Sequence, residues 1–115
     1  MTSVLFVSHD GDLRAVAARV LERAGCRVTP AAHGGHALLA CADRGTFDVV
    51  VIENELPEGP GQVVAQRLRR RCPDLHVVRM CDDTPSLGEG MALVRPFVAD
   101  DLIDAVQALR RTITR

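Results

Sequence analysis

Glu53 and Glu55 follow an apolar run, Val49-Val50-Val51-Ile52, and precede a Pro/Gly-rich loop that closes at Gly61. Three valines and an isoleucine in succession fit a strand over Asp48 to Ile52 that is covered on both faces, as in a parallel sheet. Ligands of open parallel α/β sheets bind beyond the carboxyl ends of the strands. Glu53 therefore stands where a carboxylate serves as nucleophile, base or metal ligand. The other strand-like runs end in reactive side chains as well. Ser8, His9 and Asp10 follow Val4–Val7, Cys81 ends the run from His76, and Arg95 follows Met91–Val94.

The segments between these runs read as helices. Leu13, Val16, Ala17, Val20, Leu21 and Ala24 recur at helical spacing, with Asp10 or Asp12 as N-cap and Gly25 as the stop. A second strand over Cys26 to Thr29 is expected to end at Pro30. Gly34 and Gly35 open a second helix with Ala37, Leu38 and Cys41 inward. Gly61 starts a third helix, with Val64, Ala65 and Leu68 buried and Arg69-Arg70-Arg71 at its end, where cations are favourable. Leu102, Ile103, Val106 and Leu109 mark a last helix capped by Asp100, and the basic tail from Arg110 to Arg115 is expected to fray. Strands alternating with helices give βαβ units, right-handed crossovers and one parallel sheet.

The bulk numbers narrow the function classes. The chain has 115 residues, enough for one domain with one core. A net charge of −1 implies neither a nucleic acid nor an anionic membrane as partner. No apolar run approaches about 18 residues and the start is strand-like, so neither a membrane span nor a signal peptide is expected and the location reads as cytoplasmic. Cys26, Cys41, Cys72 and Cys81 show no CxxC pairing and read as reduced thiols. Trp and Tyr are absent, which argues against a site built on aromatic stacking. The arginines at 67, 69, 70 and 71 read as a solvated helix end, and His33 and His36 as surface residues.

With these residues in place, the chain resembles the receiver domain of two-component response regulators along nearly its whole length. VLFVSHDGDLR is similar to the family's first strand and acidic loop, and AGCRVTPAAHGGHALL to its second strand and helix. DVVVIENELPEGPG is similar to its phosphoacceptor strand and loop, and LVRPF to its Lys-Pro-Phe. The resemblance implies a flavodoxin-like doubly wound sheet of five parallel strands, order 2-1-3-4-5. It also implies an Mg²⁺-assisted aspartyl phosphorylation site, and each position of that site differs here. The acidic pair falls on Ser8 and His9, the phosphoacceptor on Glu53, the hydroxyl on Cys81 and the lysine on Arg95; Asp10 and Glu55 are the carboxylates left nearby. Mg²⁺ requires hard oxygen ligands, so its binding is expected to be lost or weak and no cofactor is expected. Glu53 is one methylene longer than Asp, and a misplacement of about 1 Å costs about 10²-fold in rate. The expectation is a degenerate receiver, not an enzyme, that acts as a phosphorylation-independent protein-interaction module. Its partners would be a histidine kinase or an output domain, with a homodimer as a further option.

Alternatives remain open at this point. Glu53 and Arg95 can form a structural ion pair or imitate the phosphorylated state. A displaced carboxylate can accept phosphate. His9, Glu53 and Cys81 offer N, O and S ligands suited to Zn²⁺, and Cys81 beside Arg95 is a candidate redox thiol. Arg95-Pro96 occupies the family's cis-peptide position and is expected to be cis. Residues 82–94 must supply a loop, a helix and the last strand, so the fourth helix is expected to be shortened or absent.

Overall fold

The computed structural model describes residues 1–44, 47–81, 91–94 and 98–113. Its strands are β1 (Ser3–Val7), β2 (Arg27–Ala31), β3 (Val49–Glu53), β6 (His76–Cys81) and β7 (Met91–Val94), with a two-residue pair, β4 (Glu55–Leu56) and β5 (Gly59–Pro60), in the loop after β3. Four helices lie among the described residues: α1 (Gly11–Arg23), α2 (Gly34–Arg44), α3 (Gly61–Arg71) and α4 (Ala99–Ile113). The five main strands form one parallel sheet in the order β2-β1-β3-β6-β7, the flavodoxin-like order expected.

Alternation along the strands sorts their side chains into two core layers. Leu5, Val7, Val50 and Ile52 face one cluster with Ala37, Cys41, Val64 and Leu68 of α2 and α3. Val4, Phe6, Val49 and Val51 face the other with Ala17 and Leu21 of α1 and Leu102 and Val106 of α4. All five residues of β3 are buried, because β1 and β6 flank this strand and helices cover both of its faces. Glu53, read as lying just past the strand, is its last residue.

Several local expectations are corrected. Pro30 lies inside β2 rather than ending it; β2 pairs only with β1, and an edge strand tolerates a residue without an N–H. Val16 is 55% exposed although it keeps helical spacing with Leu13 and Val20. Asp100 lies within the first turn of α4 rather than capping it, and the neighbouring Asp101 reaches back, its Oδ2 accepting from the Val98 N–H at 3.1 Å. α4 extends to Ile113, into the tail from Arg110 to Arg115 whose last two residues lie outside the described residues. The expected shortening of a helix over residues 82–90 lies outside the described residues. Among the described residues no helix is long and apolar enough to cross a membrane.

Candidate functional site

Parallel register builds the site. β1 and β3 pair with Val7 opposite Ile52, so the next residues, Ser8 and Glu53, emerge side by side at the carboxyl edge. Both are buried, Ser8 at 0% and Glu53 at 1% exposure. Isolated burial of a carboxylate is costly, so it must find donors. Oε2 of Glu53 accepts the Ser8 hydroxyl at 2.8 Å and the His9 backbone N–H at 3.2 Å. Nδ1 of His9 lies 2.7 Å from the same oxygen. A proton on Nδ1 makes His9 a donor whether the imidazole is neutral or charged.

The first loop is held from both directions. Ser8 Oγ also accepts the Asp10 N–H at 3.1 Å, and the Ser8 carbonyl accepts Arg14 Nη1 at 2.6 Å. Asp10 caps α1, its Oδ1 accepting from Asp12 N at 3.0 Å and Leu13 N at 3.2 Å. The second loop turns back under Glu53: Asn54 N–H donates to the Met80 carbonyl at 2.8 Å, and Gly61 N–H to the Asn54 carbonyl at 2.9 Å. A Cβ at position 61 would lie 2.0 Å from the Glu53 carbonyl oxygen, so only glycine lets α3 start this close to the end of β3. Leu56, buried, anchors the loop, while Glu55 is exposed.

Among the predicted site residues, Ser8, His9 and Glu53 converge, Asp10 adjoins them through Ser8, and Glu55 stands off at the rim. Cys81 is buried at the end of β6, its Sγ 3.9 Å from the Arg79 carbonyl, a weak contact. Arg95, its expected pairing with Glu53, and the cis peptide before Pro96 lie outside the described residues. No group of three or more His, Cys, Asp and Glu side chains suited to a metal converges among the described residues.

Three relationships escaped the sequence reading. The resemblance names Ser8 only as one half of the replaced acidic pair, yet it is a buried donor to Glu53. Glu58 of the second loop accepts the Gly34 N–H at 2.6 Å, supplying an acceptor at the start of α2. Cys41 and Cys72, 31 residues apart, place their sulfurs 3.2 Å from each other. The joint change of the acidic pair to a hydroxyl and an imidazole, opposite a longer carboxylate, was the available signal for the first. The other two had none at short range.

A flavodoxin-like sheet carrying a carboxylate on the last residue of its central strand, met there by the loop after the first strand, is the architecture of a signalling receiver. The chain belongs to the response regulator receiver domain family, whose pattern matches residues 4–107. It is 34% identical over 94% of its length to the transcriptional regulatory protein TcrA of Mycobacterium tuberculosis, and it spans only 46% of that relative. Its identity to the response regulator receiver protein CpdR of Brucella abortus is 25%, over 95% of this chain and 97% of that one. The chemotaxis protein CheY4 of Vibrio cholerae superposes with a TM-score of 0.86 at 24% identity, covering 95% of this chain and 98% of the other, which speaks to the fold.

For the Mg²⁺ that this family implies, the described donor set is a poor fit. Mg²⁺ needs several hard oxygens at near-octahedral positions. Ser8 brings a neutral hydroxyl already bonded to Glu53, His9 brings a nitrogen, and the Asp10 Oδ1 is committed to the helix cap.

Proposed function

We propose that this receiver domain signals through protein contacts without accepting a phosphoryl group. The observation that carries the reading is the state of Glu53: its Oε2 receives the Ser8 hydroxyl, the His9 N–H and His9 Nδ1 in a site only 1% exposed. A phosphodonor would have to displace these donors, and among the described residues no carboxylate pair stands beside the acceptor to seat a metal. Phosphoryl transfer relies on charge neutralisation by such a metal. Ser8, His9, Asp10, Glu53, Glu55, Cys81 and Arg95 then form a pocket that has lost the family's chemistry, with no turnover of its own. The Ser8 and His9 contacts favour a fixed polar cluster over an imitation of the phosphorylated state.

The partners in this reading are a histidine kinase or an output domain, a second copy of the chain being the other possibility, in the cytoplasm. No direct role with nucleic acid or membrane is assigned to the domain itself. The test is incubation with a small acyl phosphate or phosphoramidate and Mg²⁺, followed by intact-mass measurement, with beryllofluoride binding in parallel. No adduct and no binding are expected, and the proteins captured by the domain stay the same with and without phosphodonor. A stoichiometric phosphoryl adduct abolished by Glu53→Gln would overturn the reading. An adduct that survives Glu53→Gln and vanishes in Asp10→Asn would establish the displaced-carboxylate alternative.

A further inference from the structure

Cys41 sits in α2, and Cys72 is the residue that caps α3. Both are buried, at 4% and 3% exposure, and their sulfurs are 3.2 Å apart in an S–H···S contact where either atom can donate. A disulfide bond is about 2.05 Å long, so closure asks the two sulfurs to approach by roughly 1.2 Å. The helices that carry them pack on one core layer, with Ala37, Ala40 and Leu68 in the same cluster. Cys26 and Cys81 lie elsewhere, Cys26 in the other core layer and Cys81 at the end of β6.

We propose that Cys41 and Cys72 are a redox dithiol that a peroxide converts to an intramolecular disulfide. One thiol, as its thiolate, attacks the peroxide O–O bond, forming a sulfenic acid and, with its proton, water. The second thiol attacks that sulfur; an S–S bond forms, the S–O bond breaks and a second water leaves. Two thiols and one peroxide thus give one disulfide and two waters, the sulfurs losing the two electrons that the peroxide oxygens gain. The oxidant reaches the pair from the end of α3, where Pro73 and Asp74, directly after Cys72, are exposed. Burial holds Cys41 in its neutral form, so the reaction is slower than that of a free cysteine and waits on local opening of this turn.

The bond would close a loop over a separation of 31 residues that contains β3, Glu53 and the whole of α3. It therefore fixes the α2–α3 face while leaving β7 and α4 unconstrained. This chemistry is independent of whether the Glu53 pocket accepts phosphate. A redox input to a receiver through two buried core thiols, rather than through the acidic pocket, is the consequence.

The test starts from fully reduced protein exposed to hydrogen peroxide, then denatured, alkylated and mapped by peptide mass. Two of the four thiols are expected to disappear as a single crosslinked Cys41–Cys72 peptide, restored by dithiothreitol. The oxidised protein should remain monomer-sized relative to its reduced form and show a Tm higher by several degrees, because the crosslink restricts the unfolded chain. Cys26→Ala/Cys81→Ala protein should behave the same, which keeps the test intact if Cys41→Ala or Cys72→Ala folds poorly. Four alkylatable thiols after oxidation, sulfinic acid without a crosslink, or a crosslink between chains would each overturn the proposal.

Discussion

Nδ1 of His9 stands 2.7 Å from Oε2 of Glu53, joining a side chain that is 54% exposed to one that is 2% exposed. The Ser8 hydroxyl reaches the same oxygen at 2.8 Å from a fully buried position. Two donors of similar length thus differ in how much solvent screens them, and the difference can be measured.

Removing the buried donor is expected to matter more. Ser8→Ala removes both the buried hydroxyl donor to Glu53 and the acceptor for the Asp10 N–H, and should destabilise the domain by about 1–3 kcal/mol. His9→Ala removes a contact with one exposed partner and should cost below about 1 kcal/mol. Urea unfolding of these variants, each crossed with Glu53→Gln in a double-mutant cycle, gives both couplings. A His9–Glu53 coupling larger than the Ser8–Glu53 coupling would mean that charge pairing, rather than the hydroxyl, holds the carboxylate in place.

Gly61→Ala sets two opposite effects against each other. Alanine raises helix propensity at the start of α3 by at most about 1 kcal/mol. The new methyl would meet the Glu53 carbonyl oxygen at 2.0 Å and its carbonyl carbon at 3.1 Å, backbone atoms that cannot rotate aside. Forced shifts of this kind cost about 1–3 kcal/mol or more, so the clash wins and Tm should fall by roughly 5–10 °C. An unchanged or higher Tm would show that the junction between β3 and α3 yields more easily than its backbone contacts imply.

Asp10 separates a capping role from a metal role. As an N-cap accepting from Asp12 and Leu13, it should lose about 1 kcal/mol on Asp10→Ala and only a few tenths on Asp10→Asn, which keeps the acceptor oxygen. These losses should be the same with and without Mg²⁺ in a thermal melt. A wild-type Tm that climbs with Mg²⁺, and stops doing so in Asp10→Asn, would put the carboxylate on the ion instead.

How far the sequence spoke depended on the range of the signal. The apolar run before Glu53, the helical spacing around Ala17 and Leu21, and the glycine stop at Gly25, whose φ is 92°, are local, and they located the strands and helices. Pro30 misled because a proline ends a strand only when its missing N–H is needed, and β2 is an edge. Val16 misled because spacing names a face of α1 without fixing its width. The site needed one longer step. Resemblance placed Ser8 and His9 near Glu53, but which atoms bond depends on the β1–β3 register. The Cys41–Cys72 contact joins two helix ends through the packing of α2 on α3, and no pattern within either helix encodes it.

Alkaline titration offers an unusually clear reading of that cysteine contact. All 14 cationic side chains of the chain are arginines and there is no tyrosine, so neither lysine nor tyrosine ionises alongside the thiols in the alkaline range. Burial first, then the hydrogen bond with Cys72, raises the Cys41 pKa from 9.0 to about 12, with Arg71 acting in the opposite direction. The folded chain therefore keeps this proton where the unfolded chain gives it up. Stability from the neutral thiol is whole below pH 9.0 and is lost as the pH rises from there toward about 12. In the presence of reductant, unfolding free energy should fall by up to about 1 kcal/mol per pH unit across that window. Cys41→Ala, whatever its stability at neutral pH, should show a shallower alkaline slope than the wild type. Equal slopes in wild type and Cys41→Ala would place the alkaline sensitivity on another thiol and remove Cys41 from the account.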